Sequence, residues 1–144
     1  MAAIPSVPGS YILHLFLPQP RQIAIGRLGL FSFPAGDYLY LGSAHGPGGI
    51  RARLGRHLAR CSKPHWHIDY FRAVSEVRGY LTLVETVSPA HTGSPVQTLP
   101  MECLWTQALL HLPGACVPVP GFGAGDCHSA CPAHLVAFPQ GLCI

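Results

Sequence analysis

Lysine is nearly missing from this 144-residue chain: of nine Lys and Arg side chains only Lys63 is a lysine. Acid is scarce as well, with Asp37, Asp69, Glu76, Glu85, Glu102 and Asp126 as the only six carboxylates. So small a set limits any metal site to one or two carboxylates and argues against an acid-rich two-metal centre. No apolar run approaches the roughly 20 residues that a membrane-spanning helix needs, so no membrane partner is expected. The opening residues carry no basic segment, and His14 breaks the run Tyr11–Leu17, so an export signal is not expected either. A cytoplasmic protein is the resulting expectation. In that setting the six cysteines (Cys61, Cys103, Cys116, Cys127, Cys131, Cys143) are expected as buried thiols or metal ligands rather than disulfides. There is no internal repeat.

What is present is apolar. Hydrophobic residues make up 49% of the chain and charged ones 10%, which excludes a disordered tail and suits one domain with a real core. The net charge of +3 is too small to imply nucleic-acid binding by itself. Its distribution is more informative. Arg51, Arg53, Arg56, Arg60, Lys63 and Arg72 place six of the nine cations within 22 positions, an electrostatic footprint of the kind that phosphate attracts. Arginine is also the better bidentate partner for phosphate. A solvated basic face is the plainer account of the same charges.

Pattern and punctuation divide the chain into short elements. Tyr11–Leu17 is expected as a strand ended by Pro18 and Pro20, after a loose leader containing Pro5 and Pro8. A second strand is predicted from about Gln22 to Phe33, bulged at Gly26 or Gly29. Pro34–Asp37 has turn composition, and Tyr38–Gly42 is the third strand. Short turns between them predict an antiparallel meander or a mixed small sheet. From Gly49 to Cys61 the apolar residues Ile50, Leu54 and Leu58 recur at helical spacing, while Arg53, His57 and Arg60 share another face. The free N–H groups and positive dipole end of that helix are expected to favour an anion. His65–Ala73 is either a helix or a short strand. Only a strand would align His65, His67 and Asp69 as metal ligands, and a packed segment is the bland account. Val77–Thr86 is strand-like, Ser88–Pro100 loop-like, Met101–Leu112 helical, and His134–Phe138 a possible last strand. The expected class is α/β (α+β).

Gly9-Ser10-Tyr11 on the first strand and Tyr40-Leu41-Gly42 on a later one resemble the paired signature of the GIY-YIG nuclease superfamily. Family members add an arginine on the following helix and a glutamate on a later helix. Those fall here on Arg53, within Gly49-Ile50-Arg51-Ala52-Arg53-Leu54, and on Glu102, with His57 one turn beyond Arg53. The resemblance spans residues 9 to about 112, leaving 113–144 as a Gly/Pro/Cys/His-rich extension of a single domain. Gly42-Ser43-Ala44, Arg56-His57-Leu58, His65 to Tyr70, Glu102-Cys103 and Gly121-Phe122-Gly123 with Asp126-Cys127 and His134-Leu135 resemble a compact microbial subgroup. That subgroup is catalogued as a domain of unknown function and is sometimes fused to endonuclease III-like repair enzymes. Ser10 at the centre of the first tripeptide and a long Gly-rich linker before Ile50 depart from the superfamily pattern.

The resemblance implies a small sheet of about three to five strands flanked by helices, and a metal-dependent DNA endonuclease. Glu102 would hold Mg²⁺ or Mn²⁺, and Arg53, or Arg51 in competition with it, would clamp a phosphate. Tyr11 or Tyr40 would accept a proton, which requires a phenol pKa depressed from about 10. His57 would assist as base or phosphate contact, and Arg51, Arg56, Arg60 and Lys63 would follow the nucleic-acid backbone. The alternative is a catalytically silent DNA-structure binding or accessory module associated with repair proteins. A third reading rests on Cys127, His128, Cys131 and His134, whose donor types suit Zn²⁺ but whose spacing is not a common finger pattern. Asp126 is a turn cap or a hydrogen-bond partner for a ligand.

Overall fold

In the computed structural model the described residues are 4–59, 63–84, 101–123 and 131–142. Two nine-residue strands, β1 (Gly9–Leu17) and β4 (Gly36–Ala44), pair antiparallel along their whole length. Between them in the chain lie β2 (Arg21–Ile25) and β3 (Gly29–Phe33). After β4 come the helices α1 (Gly49–Leu58) and α2 (His67–Arg72), strand β5 (Glu76–Val84), helix α3 (Met101–Leu110) and strand β6 (Leu135–Phe138). β5 adds to the outer side of β1 and β6 to that of β4, so the main sheet runs β5-β1-β4-β6, all antiparallel. The fold is therefore mixed α+β.

The single bulged strand expected over 22–33 is instead a hairpin. Gly26 and Gly29 adopt φ of 46° and 116°, and a single 3₁₀ turn over Gly26–Leu28 reverses the chain, so β2 and β3 pair with each other as a separate sheet. The expected meander is corrected with it, because β1 pairs with β4 across this insertion. Within the 65–73 segment residues His67–Arg72 are helical, which removes the strand that would have aligned His65, His67 and Asp69. Residues after 113 supply β6 and the fully buried Val119, Phe122 and Ala133.

Alternation along the strands sends side chains to opposite faces. Tyr11, Leu13, Leu15 and Leu17 of β1 and Tyr38, Tyr40 and Ala44 of β4 join Ile50 and Leu54 of α1 and Ile68 and Phe71 of α2 in one core. Each of the leucine, isoleucine and phenylalanine side chains contributes about 1.5–3 kcal/mol on burial. Leu39, Leu41, Val136 and Phe138 point the other way, against Trp105 and Leu109 of α3. Thus α1 and α2 cover one face and α3 the other. The site lies where the two coverings meet, beyond the last β4–β6 pair at Tyr40 and Leu135.

Both ends of α1 are closed by other parts of the chain. The leader, expected to be loose, turns its carbonyls to the helix start: Ile50 N–H donates to Val7 O at 3.0 Å and Arg51 N–H to Pro5 O at 2.9 Å. Gly49, at φ 59°, permits this approach, since a Cβ there would overlap the Val7 backbone. The expectation of free N–H groups at this helix start is corrected accordingly. At the other end Arg72 donates to His57 O at 2.9 Å, Leu58 O at 3.1 Å and Ser75 O at 2.6 Å. A cation suits the negative end of the dipole. Among the described residues no helix is long and apolar enough to cross a membrane.

Candidate active site

Tyr11 and Tyr40 lie on the same sheet face, diagonal across β1 and β4, with ring centroids 6.5 Å apart. Opposite Tyr11 stands Gly42, and a Cβ there would overlap the phenol ring and hydroxyl. The glycine of the second tripeptide is thus the space into which the tyrosine of the first fits. From α1, His57 reaches the pair: its Nε2 lies 2.8 Å from the Tyr11 hydroxyl, and its ring is 5.7 Å from that of Tyr40. His57 is only 1% exposed, so it belongs to the core side of α1 and not to a solvated basic face.

Burial sets the protonation of this group. It raises the Tyr11 pKa far above the usual phenol value, reinforced by Tyr40, with Arg53 pulling weakly the other way. Tyr40 is pushed up to about 12, again mainly by burial and against the pull of Arg53. Neither phenol is depressed by the protein groups around it; burial favours the protonated hydroxyl of both. His57 is lowered to about 4 by burial, with Asp69 opposing and Arg53 and Arg56 assisting, so its imidazole is neutral at pH 7. Its Nδ1 has no hydrogen-bond partner among the described residues.

Arg53 and Arg56 extend from α1 to either side of Trp66, with guanidinium carbons 4.9 and 4.8 Å from the indole centroid. Stacking of this kind stabilises a cation by about 0.5–2 kcal/mol and fixes the plane of its fork. Asp69 organises the arrangement. Burial alone would raise its pKa, but bonds from the Trp66 and His65 N–H groups and from Arg56 hold it below the usual carboxylate value. Arg56, expected on nucleic acid, is thus committed to Asp69 at 3.0 Å.

Glu102 occupies the first turn of α3, where the helix dipole favours a carboxylate. It comes from the helix on the opposite face of the sheet, near the stretch of β4 that extends beyond its pairing with β6. No tyrosine or arginine bonds it directly among the described residues. Ser43 is the link: its hydroxyl donates to Glu102 Oε1 at 3.3 Å, and its carbonyl accepts from Arg53 Nη1 at 2.9 Å. The Glu102 charge is felt at both Tyr11 and Tyr40. A cavity of about 180 Å³ opens beside Arg53 and Trp66, lined also by Ala44, Gly46, Pro47, Gly49 and Ala52. One half-buried carboxylate with an oxygen left over fits a hydrated hard cation such as Mg²⁺ or Mn²⁺, which needs few protein ligands.

A family model described as a domain of unknown function, DUF123, matches residues 10–143. The chain belongs to that family. Curated proteins give no match, and neither do solved structures. The DUF123 match covers the whole site, from Tyr11 to His134, including the segment after 113.

The other expected residues of this DUF123 domain are dispersed. Arg51 and Lys63 are exposed, and Arg60 falls outside the described residues. His67 Nδ1 accepts from the Gly123 N–H at 2.9 Å, a structural contact. Of the tail set, Cys127 and His128 also lie outside the described residues. Cys131 and His134 are brought to Cys103 of α3, and Cys103 and Cys131 are joined as a disulfide, against the expectation of separate thiols. Ser43, Trp66, Asp69 and Cys103 carry parts that the sequence did not assign. Each sits in or beside a motif string, Ser43 directly after Gly42 and Cys103 directly after Glu102, and that adjacency was the available signal.

Proposed function

We propose that this DUF123 domain is a metal-dependent DNA phosphodiesterase, an endonuclease of the GIY-YIG kind. The observation that carries this reading is the Arg53–Ser43–Glu102 chain ending beside the hydrogen-bonded Tyr11–His57 pair. Arg53, packed against Trp66, is suited to neutralise the non-bridging oxygens of a phosphate entering the adjoining cavity. The Tyr11 hydroxyl can accept a proton from an attacking water only by passing its own to His57 Nε2. His57, neutral and 2.8 Å away, is placed to take it. Asp69 then favours the imidazolium that results. A divalent ion on Glu102 would supply charge for the attacking and leaving oxygens.

Plasmid nicking tests this. Wild type with Mg²⁺ or Mn²⁺ should relax supercoiled DNA, and Glu102→Ala and Arg53→Ala should each lose at least about 100-fold, the scale of one electrostatic contact made in the transition state. Equal rates in all three would remove the mechanism.

One observation favours a second reading. With both phenols held protonated by burial, the same cluster suits a DNA-structure binding module that does not cut, in association with repair proteins. Salt-dependent binding without cleavage would mark it. A cytoplasmic location accords with either reading.

A further inference from the structure

On the far side of Glu102 from Arg53, three side chains of softer chemistry converge. Cys103 of α3, Cys131 and His134 present ligand atoms that all lie within 4.8 Å of one another. Cys103 Sγ is 3.6 Å from His134 Nε2. Two donors on one tetrahedral zinc, at Zn–S of about 2.3 Å and Zn–N of about 2.0 Å, stand roughly 3.3–3.8 Å apart. That spacing fits. We propose that the reduced protein binds Zn²⁺ through Cys103, Cys131 and His134.

Three features favour a metal site over a disulfide that merely happens to lie beside an imidazole. A disulfide has no use for a third donor, yet Nε2 points at the sulfur. The Gly123 backbone also lies against the His134 imidazole as a hydrogen-bonding neighbour, the kind of outer partner that metal-binding histidines usually receive. The backbone at His134 is rigid as well: its N–H donates to Phe122 O at 2.8 Å and its carbonyl accepts from Leu41 N–H at 2.9 Å. Cys103 is fully buried, His134 is 6% exposed and Cys131 is partly buried, so two of the three donors are held away from water. Thiolates and imidazole select zinc and discriminate against Mg²⁺, so this site and Glu102 do not compete for one ion.

The disulfide seen here is the metal-free alternative. An external dithiol reduces it by transferring two electrons and two protons and leaves as its own disulfide, and Zn²⁺ then displaces the two thiol protons and binds both sulfurs. Such a metal would tie the first turn of α3 to the start of β6, next to the residue that reaches Ser43. This inference stands whether or not the domain cuts DNA.

Full-length protein purified with a reductant and without chelator should carry about one zinc per chain. Cys103→Ser, Cys131→Ser and His134→Ala should each drop that content at least fivefold. Cys116→Ser should leave it unchanged, because Cys116 is exposed and outside the cluster. A second readout needs no variant. Cobalt(II) added to reduced, metal-free wild type should develop a thiolate-to-cobalt charge-transfer band with the intensity of at least two thiolates, which zinc then bleaches. Absence of that band would overturn the proposal, as would zinc retained in folded Cys103→Ser or His134→Ala.

Discussion

Substituting Gly42 by alanine should strike the site without touching any polar group. Gly42 has no positive φ, so alanine suits its backbone, and loss of unfolded-chain freedom alone would stabilise by about 0.4–1 kcal/mol. Against this stands the Tyr11 ring, whose Cζ, Oη and Cε2 a Cβ would meet at overlapping distance. Tyr11 is 1% exposed and hydrogen-bonded to His57, so the ring has nowhere to swing. Overpacking a filled core costs about 1–3 kcal/mol. If the ring moves, a buried His57 nitrogen loses its partner, adding about 1–3 kcal/mol. The sum is a net loss of roughly 1–5 kcal/mol, read from urea unfolding at pH 7. A double-mutant cycle locates the cause. In a Tyr11→Leu background the penalty should vanish, because leucine lacks the far ring atoms. In a Tyr11→Phe background only the overpacking share should persist, since two of the three close atoms are ring carbons and the His57 bond is already gone. A Gly42→Ala loss below about 0.5 kcal/mol, or one of equal size in the leucine background, refutes the reasoning.

Other perturbations test the remaining contacts. His57, at about 4 in the folded chain against 6.5 unfolded, leaves stability untouched above pH 6.5. As pH falls from 6.5 to 4 the unfolded chain gains a proton that the folded one refuses, so wild type should lose about 3 kcal/mol more than His57→Gln over that range; parallel pH profiles would contradict the burial argument. Arg72→Ala removes three bonds to carbonyls and should cost about 2–3 kcal/mol of stability with no change in the salt dependence of DNA binding; an unchanged unfolding midpoint would count against the cap. Trp66→Leu withdraws the platform under Arg53 and should weaken duplex binding roughly fivefold to twentyfold, whereas unaltered affinity in a binding titration would show that Arg53 positions itself.

Much of the fold was legible because it is written at short range. Alternation over Tyr11–Leu17 and the Ile50–Leu54–Leu58 spacing mark real elements, and proline and glycine mark most boundaries. What was missed depends on contacts distant in sequence. Nothing between 22 and 33 announces that β1 will skip the hairpin and pair with β4; Gly26 and Gly29 serve a bulge as well as a reversal. Helix starts invite anions in isolation, and only the returning leader shows that Pro5 and Val7 occupy this one. Charge counting put Arg56 on a nucleic-acid face and Arg72 in the same basic footprint, but each has a partner inside the protein, Asp69 for one and the end of α1 for the other. The five chief site residues were named from their motif strings, and the structure gathers Tyr11, Tyr40, Arg53 and His57 on one face. Glu102 arrives from the opposite face through Ser43, a route no linear pattern contains. The protonation of the phenols depends on burial in three dimensions and was equally out of reach.

The central claim, that Tyr11, His57, Arg53 and Glu102 form one hydrolytic site, is tested most directly by Glu102→Gln, which keeps an acceptor for Ser43 and removes the negative charge. Binding and cleavage of one duplex are measured on the same preparation, with and without Mn²⁺. The account predicts that the variant binds in metal-free buffer as tightly as wild type and leaves the duplex uncut when the metal is added. Cleavage by the variant at the wild-type rate would contradict it.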